Sequence, residues 1–157
     1  MTPAGDSGTD GDSIVLGFVC VQNAGRSQMS AAFADRERER RGLTNAVQIV
    51  TGGTHPAAQV HDEVIDVMRD VGIDLSYRTP RRISTAELES CDYLATMGCS
   101  TLELDADDAE VDVRDWALDD PHGKGPDQVR EIRDEIRDRV SELFNEIQQR
   151  EVVASSE

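Results

Sequence analysis

The chain has 157 residues, and its 32 acidic and 16 basic side chains give it a formal net charge of -16. This length fits one domain with its own hydrophobic core, and so acidic a surface disfavours nucleic acids and anionic membranes as partners. Lys124 is the only lysine. This composition fits a protein from a high-salt cytoplasm and also an acidic protein from an ordinary organism.

The start of the chain and its cysteines favour a cytoplasmic protein. Residues 1–12 are polar and glycine-rich and lack the charged and apolar regions of a signal peptide, so we expect a disordered tail. No apolar run approaches the ~20 residues that span a membrane. Cys20, Cys91 and Cys99 are too few, and odd in number, for a disulfide framework, which fits a reducing compartment. Cys91, between a predicted helix and a predicted strand, is expected to be a packing residue.

The first predicted strand, Ile14–Val19, leads through Cys20 into a loop and then into a helix predicted from Arg26 to Arg41. The unpaired N–H groups at a helix start carry partial positive charge. The small residues Ala24 and Gly25 allow further N–H groups to curl around a tetrahedral oxyanion. We call residues 20–27 the anion loop. Its expected anion contacts are Val21, Gln22, Asn23, Ala24, Gly25, Arg26 and Ser27.

Cys20 and Arg26 are the reactive and charged groups of this loop. Arg26 offers a planar fork of donors that can grip two oxygen atoms. The positive field at the helix start favours the thiolate form of Cys20, and Ser27 can donate a hydrogen bond to it. The stretch therefore predicts a nucleophile aimed at a bound oxyanion. The alternative is a buried Cys20 that only fills space, beside a surface arginine.

Further strands and helices alternate along the chain. The predicted strands are Val47–Val50, Tyr93–Met97 and Val111–Trp116, and the predicted helices are Val60–Val71, a helix from Ser84 that opens on a capping box, and Asp127–Gln149. This order predicts an α/β fold, with one domain over residues 13–149 and a four-stranded, mostly parallel sheet flanked by helices on both faces. Residues 150–157 are expected to be a frayed end. Ligands of such sheets bind beyond the carboxyl ends of the strands, where Cys20 lies.

Two sets of basic side chains remain to be placed. His61 falls on the predicted helix among acidic residues, and we expect it to be exposed and to have no part in the site. Arg78, Arg81 and Arg82 form a basic cluster in an otherwise acidic chain. They either border the site and draw anions in, or pair with nearby carboxylates.

The run Cys-Val-Gln-Asn-Ala-Gly-Arg-Ser has the spacing of Cys, five residues, Arg, then Ser or Thr. With this motif the chain resembles the low-molecular-weight protein tyrosine phosphatase superfamily, and most closely its arsenate reductase branch, over about residues 13–149. The resemblance implies a phosphatase-like fold in which the segment Thr51–Thr54 packs near the anion loop. It also implies that Asp120, directly before Pro121, is the general acid that protonates the departing oxygen.

The segment after Pro121 bears on the substrate. In the tyrosine phosphatase branch, aromatic side chains at this place usually sandwich the substrate ring. This chain continues His-Gly-Lys-Gly, which resembles the arsenate reductases instead. A small inorganic oxyanion is therefore a better expectation than phosphotyrosine.

The segment Thr96-Met97-Gly98-Cys99 resembles the part of arsenate reductases that carries a second redox cysteine. Cys99 matches that cysteine, but the third cysteine of the family relay is missing from the segment Ser100–Leu104. Two routes then remain: Cys99 resolves Cys20 directly and a thioredoxin-like protein reduces the disulfide, or a small thiol attacks and a glutaredoxin-like protein finishes. Cys99 as a packing residue is the third alternative.

The resemblance thus implies an arsenate reductase with catalytic residues Cys20, Arg26, Asp120 and Cys99. It needs no bound cofactor or metal, only an external thiol reductant of the thioredoxin or glutaredoxin type or a small thiol. The alternative is a low-molecular-weight protein tyrosine phosphatase, which hydrolyses phosphomonoesters through a phosphocysteine. A third hypothesis is a non-catalytic sensor of anions or redox state. The expected partners are arsenate or a phosphate-type oxyanion and the reductant, with no nucleic acid or membrane, and the expected state is a monomer or weak dimer.

Overall fold

The computed structural model describes residues 13–97, 111–119, 121 and 123–155. Its strands are β1 (Ile14–Cys20), β2 (Val47–Gly53), β3 (Tyr93–Met97) and β4 (Asp112–Asp115). They form one sheet in the order β2-β1-β3-β4, and each neighbouring pair is parallel. The predicted four-stranded sheet is confirmed, and the described strands are all parallel rather than mostly so.

The described helices are α1 (Arg26–Arg40), α2 (Asp62–Arg69), α3 (Thr85–Glu89) and α4 (Pro126–Ser155). The apolar side chains of α1, α2 and α4 share one large core with one face of the sheet. Leu88 of α3 packs in a smaller core on the opposite face, with Val19 and Leu94. The expected helices on both faces are therefore confirmed.

The alternation of side chains along β1 fixes the direction of Cys20. Leu16, Phe18 and Cys20 belong to the large core, whereas Val19 between them belongs to the small one. Both faces of this central strand are covered, which explains its continuous apolar run. Cys20 therefore ends β1 on the side of the sheet where α1 begins.

Two helices differ from the sequence-based prediction by more than one residue at an end. α2 covers Asp62–Arg69 rather than Val60–Val71, because Val60 packs in the core from outside the helix and so extends the apolar pattern. α4 continues to Ser155 rather than ending at Gln149. The predicted frayed end, 150–157, is thus helical as far as Ser155. The apolar stripe that defined the prediction ends at Ile147, but no Gly or Pro follows to stop the backbone hydrogen bonding. No helix among the described residues is long and apolar enough to cross a membrane.

Candidate active site

Cys20 lies at the C-terminal end of β1, between β2 and β3, at a cavity of about 260 Å³. The position is the one that parallel sheets use for ligands, because loops diverge there and leave a crevice. Only 3% of Cys20 is exposed, so a ligand reaches the sulfur through this cavity. The cavity is lined by Cys20, Val21, Gln22, Ala24, Gly25, Arg26 and His61.

Two hydrogen bonds surround the sulfur of Cys20. The Ser27 Oγ lies 2.9 Å from Cys20 Sγ, and the backbone N–H of Asn23 donates to the same sulfur over 3.2 Å. Asn23 Nδ2 also donates to Ser27 Oγ over 2.6 Å. Because that bond uses an acceptor position of the hydroxyl, the single hydroxyl proton of Ser27 is available to the sulfur. Both contacts therefore aim a hydrogen-bond donor at Cys20 Sγ.

Asn23 is the hub of the anion loop. It is fully buried and has a backbone φ of 53°, the left-handed conformation that asparagine tolerates better than most residues. Its Nδ2 donates to Ser27 Oγ and, over 3.1 Å, to Thr51 Oγ1. Its Oδ1 accepts from Gln28 Nε2 over 3.0 Å and from the backbone N–H of Arg81 over 3.1 Å. These four bonds hold the loop in one conformation.

The residues after β2, which we call the 54–61 segment, bind the outer side of the anion loop. Four of its backbone N–H groups donate to four loop carbonyls. The pairs, donor first, are Thr54 to Cys20 at 3.3 Å, His55 to Val21 at 2.7 Å, Ala57 to Gln22 at 3.0 Å and His61 to Ala24 at 3.0 Å. In a trans peptide the next N–H points opposite to the carbonyl. Holding the carbonyls outward therefore turns the loop N–H groups inward, toward the anion position.

Gly53 makes the close approach of the 54–61 segment to the anion loop possible. A Cβ on Gly53 would lie 2.5 Å from the carbonyl oxygen of Val21 and 3.0 Å from the backbone nitrogen of Asn23. Real Cβ atoms do not come so near to backbone atoms. The expected packing of Thr51–Thr54 beside the anion loop is thus what the structure has, through Gly53 and the side chain of Thr51.

The loop before α4 contacts the anion loop at two places. Arg26 Nη1 donates to the carbonyl of Leu118 over 3.0 Å. The buried ring of Pro121 lies 3.0 Å from the position that a Cβ on Gly25 would take. Asp120, the predicted general acid, lies outside the described residues. Asp119 lines a separate cavity of about 150 Å³ with Lys124, Gln128, Glu131, Ile132 and Glu135.

Of the two other cysteines, Cys91 belongs to the described residues and Cys99 does not. Cys91 is buried in the small core, and its Sγ donates to the carbonyl of Glu87 over 3.3 Å. Burial, with the negative charges of Asp92 and Glu87, raises the pKa of Cys91 to about 11. This agrees with the expected packing role. Cys99 lies outside the described residues. Among the residues that are described, no three His, Cys, Asp or Glu side chains could together hold a metal ion.

The basic cluster of Arg78, Arg81 and Arg82 combines the two expected roles. The side-chain contacts are Arg78 with Asp35 at 3.0 Å, Arg81 with Glu87 at 2.6 Å, and Arg82 with the carbonyl of Thr54 at 3.0 Å. Two of the three arginines therefore pair with carboxylates. The backbone of Arg81 and the side chain of Arg82 nevertheless bind residues that shape the anion loop, so the cluster also borders the site.

His61 is a lining residue that sequence analysis missed. It stands just before α2 rather than within it, and its ring lines the same cavity as Cys20. Its Nε2 lies 3.1 Å from Gln22 Oε1. No local signal in the sequence indicates this contact, because the histidine is surrounded by acidic residues and faces a loop 39 positions earlier.

The sequence is similar to a known protein family and to proteins named as arsenate reductases. A profile of the family described as "Low molecular weight phosphotyrosine protein phosphatase" matches residues 15–153. A protein of Halobacterium salinarum named "Putative arsenate reductase" is 71% identical over 131 residues, which are 83% of this chain and 91% of that protein. The "Glutaredoxin arsenate reductase" of a Synechocystis strain is 30% identical over 132 residues, 83% of this chain and 95% of that protein.

A solved structure supports the same assignment. The thioredoxin-dependent arsenate reductase of Corynebacterium glutamicum superposes with a TM-score of 0.69 at 26% sequence identity, over 90% of this chain and 67% of that one. The family profile covers residues 15–153, which include the anion loop and α1. The chain therefore belongs to the low molecular weight phosphotyrosine protein phosphatase family, as the motif at Cys20 predicts.

Proposed function

We propose that the chain is an arsenate reductase in which the Cys20 thiolate attacks bound arsenate. The observation that carries this proposal is the sulfur of Cys20, which receives hydrogen bonds from Asn23 and Ser27 at a small cavity that Arg26 also lines. The relatives named above as arsenate reductases support the same activity.

The first step forms a bond between sulfur and arsenic. The inward N–H groups of the anion loop and the guanidinium of Arg26 hold the oxygens of arsenate and offset their negative charge. As the sulfur attacks, one arsenic–oxygen bond breaks, and the departing oxygen leaves as water once it is protonated. Asp120 is the proposed proton donor, because its neighbours Leu118 and Pro121 contact Arg26 and Gly25 of the anion loop.

The second step needs another thiol. That thiol attacks the sulfur of Cys20, a disulfide forms, and arsenic departs as arsenite with the two electrons of the sulfur–arsenic bond. The thiol is Cys99 or a small-molecule thiol, and a thioredoxin-like or glutaredoxin-like protein restores the reduced enzyme. In support, one solved relative is named a thioredoxin-dependent arsenate reductase and another relative is named a glutaredoxin arsenate reductase. Such chemistry requires a reducing compartment, which is the reason to place the enzyme in the cytoplasm.

The second candidate function is phosphomonoester hydrolysis, which the family description favours. The same Cys20, Arg26 and Asp120 would form a phosphocysteine that water then hydrolyses. Against it stands the lining of the cavity, which offers no Phe, Tyr or Trp side chain to sandwich an aryl ester within the described residues. The anion loop could therefore support both reactions, whereas the residues that line the cavity favour a small oxyanion as substrate.

The deciding experiment compares thiol-dependent arsenite production with hydrolysis of p-nitrophenyl phosphate by the same enzyme. We expect arsenite production to have the larger kcat/KM, and the opposite ranking would remove the proposal. Asp120→Asn should slow the first step, whereas Asp119→Asn is the matched control, because Asp119 lines the other cavity. Mass spectrometry after a single turnover should find Cys20 bonded to Cys99 or to the small thiol.

A further inference from the structure

Gln22 and His61, which we call the rim pair, form a bridge between two walls of the cavity at Cys20. His61 Nε2 and Gln22 Oε1 lie 3.1 Å apart, and both residues line the cavity. The backbone N–H of His61 donates to the carbonyl of Ala24 over 3.0 Å, so the histidine is fixed to the anion loop independently of its ring. Gln22 is exposed at the solvent side, whereas Cys20 is almost completely buried.

The direction of attack determines what the outer part of the cavity must accommodate. Displacement at a tetrahedral oxyanion places the attacking and departing atoms roughly in line. With the sulfur of Cys20 at the buried end, the departing oxygen points toward the open end of the cavity. In inorganic arsenate this oxygen carries at most a proton. In an ester it carries an organic group, which must pass the residues at the open end.

We propose that the rim pair is the specificity determinant that favours an inorganic oxyanion over an organic ester. This inference rests on the proposed function, whose substrate class it explains. The carbonyl end of the Gln22 side chain is engaged by His61, which leaves the amino end of the amide as the donor for a bare outer oxygen. An ester oxygen bonded to carbon is a weaker hydrogen-bond acceptor, and its organic group would collide with the side chains of the rim pair.

The pair has a further advantage in so acidic a chain. The Nε2 donor of His61 is used within the pair, so the amino group of Gln22 is the donor that the pair presents at the cavity. It adds no carboxylate to a molecule whose net charge is -16. Arg26 supplies the positive charge at the same cavity. An uncharged donor at the solvent side of the cavity therefore selects by shape and hydrogen bonding rather than by charge.

The test compares kcat/KM for arsenate with kcat/KM for p-nitrophenyl phosphate in His61→Ala, Gln22→Ala and the double variant. Alanine at position 61 keeps the backbone N–H that binds Ala24, so only the imidazole is removed. We expect the ratio to move about tenfold toward the ester in each single variant, the scale of one specificity contact. The double variant should move little further, because either substitution alone breaks the bridge.

His55→Ala is the matched control. His55 lies in the same 54–61 segment. Among the described residues its ring is hydrogen-bonded to its neighbour, Thr54 Oγ1, at 3.3 Å, and it is not one of the residues that line the cavity. This variant should leave the substrate ratio unchanged. A purely structural role of His61 would lower both activities by the same factor, and an unchanged ratio in His61→Ala and Gln22→Ala would overturn the proposal.

A binding measurement separates this inference from the proposed function. The inhibition constants of inorganic phosphate and phenylphosphonate are measured on p-nitrophenyl phosphate hydrolysis, a reaction that requires no reduction of arsenate. Suppose that the wild-type enzyme produces no arsenite, but that His61→Ala lowers the inhibition constant of phenylphosphonate relative to that of phosphate. The proposed function is then wrong, and the role of the rim pair in specificity is supported. If arsenite is produced and the ratio of the two inhibition constants is unchanged in both single variants, the proposed function is supported and the specificity role of the rim pair is contradicted.

Discussion

The backbone N–H of Asn23 donates to the sulfur of Cys20 over 3.2 Å, and Asn23 reaches this position with a φ of 53°. The donor is therefore aimed by a left-handed residue, whose side chain is in turn held by Ser27, Thr51 and Gln28. The direction of the Asn23 N–H toward the sulfur of Cys20 therefore depends on the hydrogen bonds of the buried Asn23 side chain.

Asn23→Ala should destroy the alignment of the anion loop. Alanine in the left-handed region costs roughly 1–2 kcal/mol, and the buried partners of the amide are left unsatisfied at about 1–3 kcal/mol more. We expect turnover to fall by about 100-fold or more, as when a donor to a developing charge is lost. Steady-state kinetics and denaturant unfolding measure the two effects.

Asn23→Gly separates the backbone from the side chain. Glycine adopts the positive φ without strain, so this variant should be more stable than Asn23→Ala. Its activity should remain low, because the hydrogen bonds to Ser27 and Thr51 are still missing. Wild-type turnover in either variant would show that the network does not set the loop conformation.

Gly53→Ala should distort the anion loop from its outer side. The new methyl group would lie 2.5 Å from the carbonyl oxygen of Val21, so the 54–61 segment must move away and release the loop carbonyls. We expect weaker binding of inorganic phosphate, which isothermal calorimetry measures directly. Gly42→Ala is the control: Gly42 has a φ of 70° with nothing near its Cβ position, so alanine there costs about 1 kcal/mol of stability without affecting phosphate.

The sequence was sufficient to predict the fold and the place of Cys20 at the end of a strand, before a helix. A strand that ends in Cys20, followed by small residues, Arg26 and a helix, leaves few other architectures, because the chemistry depends on a local backbone pattern. The structure brings Cys20 and Arg26 to one cavity. The family and the parallel sheet are confirmed. The catalytic roles of Cys20, Arg26, Asp120 and Cys99 stay predictions. Asp120 and Cys99 also lie outside the described residues.

Other parts of the site had no local signal. The small residues Ala24 and Gly25 were predicted to let the anion loop curl, but its residue with a positive φ is Asn23. A Cβ on Gly25 would lie 3.0 Å from the ring of Pro121, a tight approach between distant parts of the chain. The bonds of the 54–61 segment are made by backbone groups and so depend on the path of the chain rather than on side-chain type. The path of the chain also brings His61 to the cavity, and the spacing of apolar residues does not predict this position.

Cys91 should behave as a buried, neutral thiol. With its pKa raised to about 11, it stays protonated near neutral pH. Iodoacetamide should therefore label Cys20 long before Cys91, as peptide mass spectrometry can show. Cys91→Ala should leave arsenate turnover unchanged, because Cys91 packs in the small core on the opposite face of the sheet from α1. Fast labelling of native Cys91 would contradict its packing role.

The same thiol should make stability depend on pH in alkaline solution. An unfolded cysteine ionises near its ordinary value of ~8.5–9, whereas folded Cys91 holds its proton up to about 11. Between these values the folded state binds more protons, so the free energy of unfolding falls as pH rises, and it becomes constant above the folded pKa. Urea unfolding from pH 8 to 11 should show a steeper loss in the wild type than in Cys91→Ala. Equal slopes would contradict the raised pKa.

Ser27→Ala should weaken the nucleophile while leaving the oxyanion bound. The Ser27 hydroxyl lies 2.9 Å from Cys20 Sγ and accepts from Asn23, so its removal takes away one of two donors to the thiolate. We expect kcat to fall about tenfold or more, with phosphate affinity little changed, because the N–H groups and Arg26 remain. The rate at which iodoacetamide alkylates Cys20 at pH 7 should fall as well, because the sulfur loses the hydrogen bond of this hydroxyl. Ser30→Ala is the matched control on the same helix: its hydroxyl donates to the carbonyl of Arg26 over 2.8 Å and does not contact Cys20, so alkylation should keep its wild-type rate. If both variants alkylate as fast as the wild type, the hydroxyl of Ser27 does not stabilise the thiolate, and the other donor, the N–H of Asn23, must do so without it.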